Sequence, residues 1–360
     1  MKLLYISNLT GNLYAGPNHS VPAQIAAQSN YDNVFWLNLN DNEITNDKAG
    51  LLHKISDVKG IIPDDLPHPF NKPDLVVFEE FYCYPFNKII YRLVKNRIPY
   101  VIIPRSQMTH QAKQVRKIKK KIADLLFFNW FVNNASAIHY LTEAEKNDSS
   151  AYSAKAVVIP NGINMPMNTD RSTKKEQFVI SYVGRLNIYQ KGIDLLFDAC
   201  GMIRDELLRN HVKVCFYGPD QEGALNKMME WRAAKKLEDV IEIHDAVYNE
   251  KKADILRNSN VFIMTSRFEG MPMGLIEALS YGLPCIVTPG TNLMKEIEDA
   301  GAGFGCELTA EKIAAAIALS FSEGTVLSEM ENNAKKLAAY YSWHSIAERT
   351  HETYCGLLED

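Results

Sequence analysis

The chain has 360 residues, 46% of them hydrophobic and 23% charged, and a formal net charge of −4. That length accommodates two separately cored domains, and that composition excludes a disordered or fibrous chain. The slightly acidic balance gives no global attraction to nucleic acid or acidic lipid, so any basic surface has to be local.

The opening residues, Met1-Lys2-Leu3-Leu4-Tyr5-Ile6-Ser7, form a short apolar run that reads as a first strand and is too short for the core of a signal peptide. Further strands are predicted at Val34–Leu37, Leu75–Phe78, Tyr100–Ile103, Ala137–His139 and Val157–Ile159. They alternate with helical patterns, which argues for an α/β fold with a parallel sheet covered by helices. Ligands of such sheets bind beyond the carboxyl ends of the strands, so the loops that follow them hold the candidate residues. After the first strand, Gly16 either lets a ligand approach the backbone or supplies a positive φ. A helix is predicted from Ser20 as N-cap, with Pro22 in its first turn. Asp41–Phe70 has little periodicity and reads as a loop and short-helix excursion. In Lys113–Ile122, Val115, Ile118 and Ile122 fall at helical spacing and the rest is cationic. Such a helix either packs through its Val and Ile with solvated lysines or lies on an anionic membrane surface. Asp124–Phe131 reads as the core side of the same helical region, and no apolar stretch approaches the length of a membrane span. Thr142 with Glu145 reads as a capping box.

Met165–Glu176 is polar and charge-mixed, and the domain boundary is predicted there. Strands follow at Phe178–Val183, Val212–Tyr217, Val240–Ile243, Val261–Met264 and Pro284–Val287, and Ser342–Leu358 reads as a last helix. The most informative stretch is Glu269-Gly270-Met271-Pro272-Met273-Gly274-Leu275-Ile276-Glu277-Ala278-Leu279. It follows a buried strand, turns at Gly and Pro, and must open a helix near Pro272 or Met273. Unpaired N–H groups at a helix start accept an anion, phosphate best of all. Glu269 before the turn and Glu277 about one turn into the helix flank that position. Carboxylates repel phosphate, so they suit sugar hydroxyls: a sugar on one side, a diphosphate between, a ribose on the other. The six cysteines are scattered with no C-x-x-C pair and read as reduced thiols, and no metal-ligand cluster is visible in the sequence.

This stretch, followed by Gly282 and Pro284, resembles the E-x7-E signature of the retaining glycosyltransferases of family 4, which have the GT-B fold. The resemblance implies two Rossmann-like parallel-sheet domains facing each other across a cleft. An acceptor-side domain would span 1–168, a nucleotide-sugar domain 169–341, and a helix over 342–360 would cross back to the first. It implies donor-sugar contacts from Glu269 and ribose contacts from Glu277, with Gly270, Met271, Pro272, Met273, Gly274 and Leu275 lining the donor site. Gly184-Arg185-Leu186 and Lys191-Gly192 match the family's Gly-Arg-Leu … Lys-Gly, where Arg and Lys hold the donor diphosphate. Arg185 can fork onto phosphate oxygens, and Lys191 adds a mobile charge. Together they can stabilise the departing nucleotide without a metal. By the same resemblance Gly184 and Gly16 approach the donor, Val247 passes its base, and His110 or Arg105 reaches its sugar from the first domain. Ser106 stands where relatives carry Gly, and Asn164 where they carry Asp.

The implied activity is transfer of a hexose-type sugar, with retention and with no cofactor required, from a nucleotide sugar (UDP favoured over GDP) to a glycan or lipid-linked glycan. The setting implied is cell-surface polysaccharide synthesis in the cytoplasm, with Lys113 to Lys121 offered to the inner-membrane surface and no nucleic-acid partner. A nucleotide-sugar 2-epimerase and a silent GT-B subunit that binds a partner enzyme are the alternatives. The Gly-Arg-Leu … Lys-Gly pairing argues against the first, and the intact Arg185, Lys191, Glu269 and Glu277 against the second.

Overall fold

The computed structural model describes residues 1–11, 16–44, 47, 49–82, 87–114, 117–149, 152, 154–169, 177–322 and 326–359. Cys83, Val115, Arg116 and residues 170–176 of the predicted linker lie outside the described residues. Contacts divide the chain into two compact units, Met1–Gly162 with Ser342–Asp360, and Ile163–Tyr341.

The first unit carries a seven-stranded parallel sheet built from β1 (Lys2–Ser7), β2 (Asn33–Asn38), β3 (Leu52–Lys54), β4 (Leu75–Glu79), β5 (Tyr100–Ile103), β6 (Ala137–Tyr140) and β7 (Lys155–Val158). Its spatial order is β3-β2-β1-β4-β5-β6-β7. Strands covered on both faces need apolar residues at every position, which is why β1 and β4 read as unbroken hydrophobic runs. Alternation then sorts them: Leu4, Ile6, Val76, Phe78 and Ile102 enter one core layer, and Leu3, Tyr5, Leu75, Val77 and Val101 the other. The helix Trp343–Glu359 packs Tyr354 and Leu357 into this second layer. Its Trp343 lies where a Cβ on Gly162 would stand, 2.5 Å from the indole, so only glycine fits in the Pro160-Asn161-Gly162 turn.

The second unit repeats the plan with β8 (Phe178–Val183), β9 (Val212–Tyr217), β10 (Ile241–His244), β11 (Val261–Met264), β12 (Cys285–Val287) and β13 (Gly303–Gly305), all parallel, in the order β10-β9-β8-β11-β12-β13. In both sheets the chain moves outward from its first strand for two strands and then returns to the other side. The reversal leaves a switch point between β1 and β4 and another between β8 and β11, where loops diverge and a ligand can enter.

Three details differ from expectation. The stretch predicted as a loop excursion contains β3, a three-residue edge strand whose sequence, Leu-His-Lys, has no periodicity to betray it. The helix predicted from Ser20 begins at Pro17 with Gly16 as its cap. Proline's fixed φ suits the first helical position, and the Ser20 hydroxyl donates back to the Gly16 carbonyl at 3.2 Å, leaving Pro22 inside the helix. The segment expected on the core side of the basic helix splits: Phe128 and Phe131 are buried, whereas Leu125, Leu126 and Trp130 are exposed, as are Ile118 and Ile122.

Candidate active site

The two loops at the β8/β11 switch point are stitched together by backbone and side chain. After β8 the chain passes Gly184-Arg185-Leu186 and pairs with the loop after β9, where a Cβ on Gly218 would sit 1.7 Å from the Gly184 carbonyl oxygen. Beneath it, the Tyr182 hydroxyl donates to the Arg185 carbonyl at 2.8 Å. Burial pushes that hydroxyl up in pKa, the Glu269 charge adds to the rise, and the Arg185 charge opposes it. The tyrosine thus feels both residues from under the loop. The Arg185 side chain is exposed and has no ion pair among the described residues.

A single helical turn, Ile188–Lys191, follows, capped by the Asn187 side chain, which accepts from the Gln190 N–H at 2.8 Å. It stops at Gly192 (φ +64°), whose Cβ would lie 2.1 Å from the Thr265 carbonyl oxygen. That contact presses the turn against the loop after β11. The Thr265 hydroxyl donates to the Lys191 carbonyl at 3.1 Å, and the Arg267 N–H to the Gln190 carbonyl at 2.8 Å. The Arg267 guanidinium clamps the arrangement, with two bonds of 2.7 Å to the Asp194 carboxylate and its plane over the Tyr189 ring.

Stitching brings Lys191 Nζ to 2.5 Å from Glu269 Oε1, and the Ser266 hydroxyl donates to the same oxygen at 2.5 Å. Asn292 Nδ2 holds the Glu269 carbonyl at 2.6 Å from the loop after β12. The next helix, Met273–Ser280, starts where the sequence places it, with Pro272 as cap. Gly274 in its first turn lies against the Val183 carbonyl, the space for a Cβ there being only 3.1 Å. The first turn therefore sits next to the end of β8, with the Met273 and Leu275 N–H groups donating to the Met271 and Pro272 carbonyls at 2.9 Å. Leu275, Ile276 and Leu279 anchor the helix in the core. Glu277 pairs with Lys252 at 2.7 Å, both half-exposed. Gly184, Arg185, Lys191, Glu269 and residues 270–275 are thus gathered on the two loops of one switch point. Chemically this is a mouth with an exposed cation, a helix start and a carboxylate held by an ammonium and a hydroxyl.

Residues 167–337 match the family model for glycosyl transferases group 1. That segment belongs to the glycosyl transferases group 1. A phosphatidylinositol N-acetylglucosaminyltransferase subunit of Arabidopsis thaliana is 28% identical over 210 residues, 57% of this chain and 45% of its own length. The amylovoran biosynthesis glycosyltransferase AmsD of Erwinia amylovora is 34% identical over 161 residues, 42% of this chain and 43% of its own. The chain thus spans under half the length of these curated relatives. Among solved structures, Anabaena HepE in complex with UDP superimposes with a TM-score of 0.69 at 15% identity, covering 99% of this chain and 100% of its own. A glycosyltransferase from Rickettsia africae gives 0.70 at 16%, covering 100% and 99%. The fold is α/β and GT-B.

The group 1 segment also contains residues that the sequence does not announce: Ser266, Asn292, Lys252 and the Asp194–Arg267 pair. Val247 lies half-buried in the loop after β10, two strands from the switch point. On the same edge the pairing of β9 with β10 brings Cys215, Glu242 and His244 within 4.8 Å of one another, a metal-like grouping invisible in the sequence. Its carboxylate is already engaged by His244 at 3.2 Å and Lys213 at 3.4 Å. Burial pushes the Cys215 thiol up to about 12.

In the first unit, Gly16 has φ −49° and open space where a Cβ would go, so neither positive φ nor packing requires glycine there. His110 is exposed, with Nδ1 2.7 Å from the Asp148 carbonyl oxygen. Arg105 is buried and internally saturated: it donates to Glu79 at 2.7 Å, Gln24 at 2.8 Å and Ser20 at 3.1 Å. It joins the ends of β4 and β5 to the first helix.

Proposed function

We propose that the chain is a retaining glycosyltransferase of the family 4 type that moves a hexose-type sugar from a nucleoside-diphosphate donor to a hydroxyl of a glycan or lipid-linked glycan. The observation that carries this reading is the buried Lys191–Glu269 pair, formed between the loop that carries the exposed Arg185 and the loop that leads into the Met273–Ser280 helix. In this reading the donor diphosphate lies across the helix start and Arg185. Lys191 exchanges its carboxylate partner for a phosphate oxygen, and Glu269 takes a hydroxyl of the donor sugar, so each charge leaves one partner only as it gains another. Two cations then stabilise the charge that builds on the departing nucleotide, which needs no metal. Glu277 binds the ribose, with Lys252 orienting its carboxylate. Val247 passes the base.

UDP is the favoured nucleotide of the donor: HepE is solved with UDP and with UDP-glucose. A name such as amylovoran biosynthesis glycosyltransferase supports a polysaccharide pathway. A relative named for phosphatidylinositol, a membrane lipid, supports work at a membrane surface. Among the described residues no helix is long and apolar enough to cross a membrane.

The test is a thermal-shift screen with UDP, GDP, ADP and dTDP, followed by incubation with the corresponding sugars. A rise in Tm with one diphosphate and release of that diphosphate from its sugar are expected. No shift with any of them overturns the donor site, and an epimer formed without acceptor would replace transfer by epimerisation.

A further inference from the structure

One helical run of the first unit has two apolar faces, and only one is covered. The run is the helix Lys117–Ala123, the wider π turn Asp124–Phe128 and the helix Asn129–Asn133. Its inner face puts Phe128, Phe131 and Val132 into the core, against Phe78, Phe81 and Tyr100. Its outer face presents Ile118 at 77% exposure, Ile122 at 54%, Leu125 at 80%, Leu126 at 76% and Trp130 at 39%. The steps between these residues follow the helical repeat, so they form one stripe rather than scattered exposed side chains.

The charges beside the stripe are of one sign. Residues 117–133 contain four lysines and one acid, Asp124. Asp124 is turned to the inner face, where it accepts from the Tyr82 hydroxyl at 2.8 Å. Lys113, just upstream, donates to the Tyr152 hydroxyl at 2.7 Å, and Lys120 donates to the Ala112 carbonyl at 2.6 Å with its ammonium over the Tyr82 ring. Those two cations are used inside the fold. Lys119 and Lys121 are exposed and have no ion pair among the described residues.

We propose that this outer face docks in the plane of an anionic lipid surface. Ile118, Ile122, Leu125 and Leu126 enter the acyl boundary, Trp130 rests at the headgroup level, and Lys119 and Lys121 meet lipid phosphates. The charge pattern selects this occupant. A protein groove that covered the aliphatic stripe would have to desolvate or pair two adjacent ammonium groups, whereas a bilayer interface offers hydrocarbon and phosphate side by side. The contact is narrower than the whole segment from Lys113 to Lys121, and its apolar half lies downstream of that segment. It stands independently of the donor site of the second unit.

The test uses the full chain and sedimentation with vesicles of phosphatidylcholine alone or with about a third phosphatidylglycerol. The wild type is expected to sediment with the anionic vesicles only, and to be released by high salt. L125N/L126N alters two residues that touch no core, so it should fold with an unchanged circular dichroism spectrum and lose at least about tenfold in partitioning. K119E/K121E should lose a similar factor together with the salt dependence. Absence of wild-type binding, or equal partitioning of all three proteins, overturns the proposal. So does a concentration-dependent dimer that L125N/L126N abolishes without any vesicle binding, which would give the face to a second copy of the chain.

Discussion

Lys191 Nζ stands 2.5 Å from Glu269 Oε1, and both side chains are more than nine-tenths buried. Taking two charges out of water is tolerated because each finds the other, and Ser266 shares the same oxygen. Removing the carboxylate strands the ammonium. Glu269→Ala should therefore destabilise the second unit by about 3–5 kcal/mol, read as a lower Tm. Glu269→Gln, which keeps the shape and an acceptor, should be milder. In Glu269→Gln the released lysine remains available to phosphate, so UDP should bind at least as tightly as in the wild type. Sugar transfer should fall about a hundredfold or more for want of the carboxylate. Calorimetric titration with UDP beside a turnover assay separates the two effects. Full transfer by Glu269→Gln would remove this residue from the chemistry.

Arg185 makes the opposite case. Its guanidinium is exposed, so Arg185→Ala should leave Tm nearly unchanged, within about 0.5 kcal/mol of stability. If it forks onto the donor diphosphate, losing charge-assisted bonds worth about 1.5–3 kcal/mol should weaken UDP binding tenfold or more. The wild-type affinity should also fall as salt rises, and the variant's should fall less. An unchanged dissociation constant would place the diphosphate elsewhere.

Gly192 fixes the spacing between the two loops. At φ +64° any side chain is strained, and an added Cβ would meet the Thr265 carbonyl at 2.1 Å. Gly192→Ala should cost more than the roughly 1–2 kcal/mol of the left-handed conformation alone, because the turn must also retreat from Thr265. Retreat moves Lys191 away from Glu269, so both stability and UDP affinity should fall in this one variant. Thermal melts and titrations with UDP check this, and a variant as stable as the wild type would show that the contact yields freely.

How much of this is readable in the sequence depends on how local each signal is. The buried strands are continuous apolar runs, and Pro272 beside Gly274 announces a turn entering a helix, so those elements are legible residue by residue. So are Glu269 and Glu277 as candidates, because they flank that turn, while Arg185 and Lys191 are picked out by their match to the Gly-Arg-Leu … Lys-Gly pattern. Their partners are not. Lys191 and Glu269 lie 78 residues apart, and Asp194 and Arg267 lie 73 apart. Nothing in a linear pattern says which cation meets which carboxylate until the strand order is known. The cation–carboxylate match at the switch point therefore comes from topology, as does the grouping of Cys215 with His244. The outer stripe of the helical run is hidden for a different reason: Ile118 and Leu125 have core-like identities, and only the burial of Phe128 and Phe131 shows which of two apolar faces the core has already taken.

His139 gives the first unit a dependence on pH. It is buried in β6, with Nε2–H donating to the Ile159 carbonyl at 2.8 Å and Nδ1 accepting from the Tyr354 hydroxyl at 2.8 Å. Burial, aided by the Arg105 charge and opposed by the bond to Ile159, lowers its pKa to about 4. Unfolded, it titrates near 6.5. The unfolded chain thus takes up a proton that the folded chain refuses between those values, and stability falls as pH drops through that window. The contribution is fully present above about pH 6.5 and is lost by about pH 4, a change of about 3 kcal/mol. His139→Gln keeps a donor for Ile159 but cannot titrate. Urea unfolding read through hydrogen exchange at the β6 amides should show a steeper loss across that window for the wild type than for the variant. Parallel curves would mean that His139 gains its proton without the fold opening.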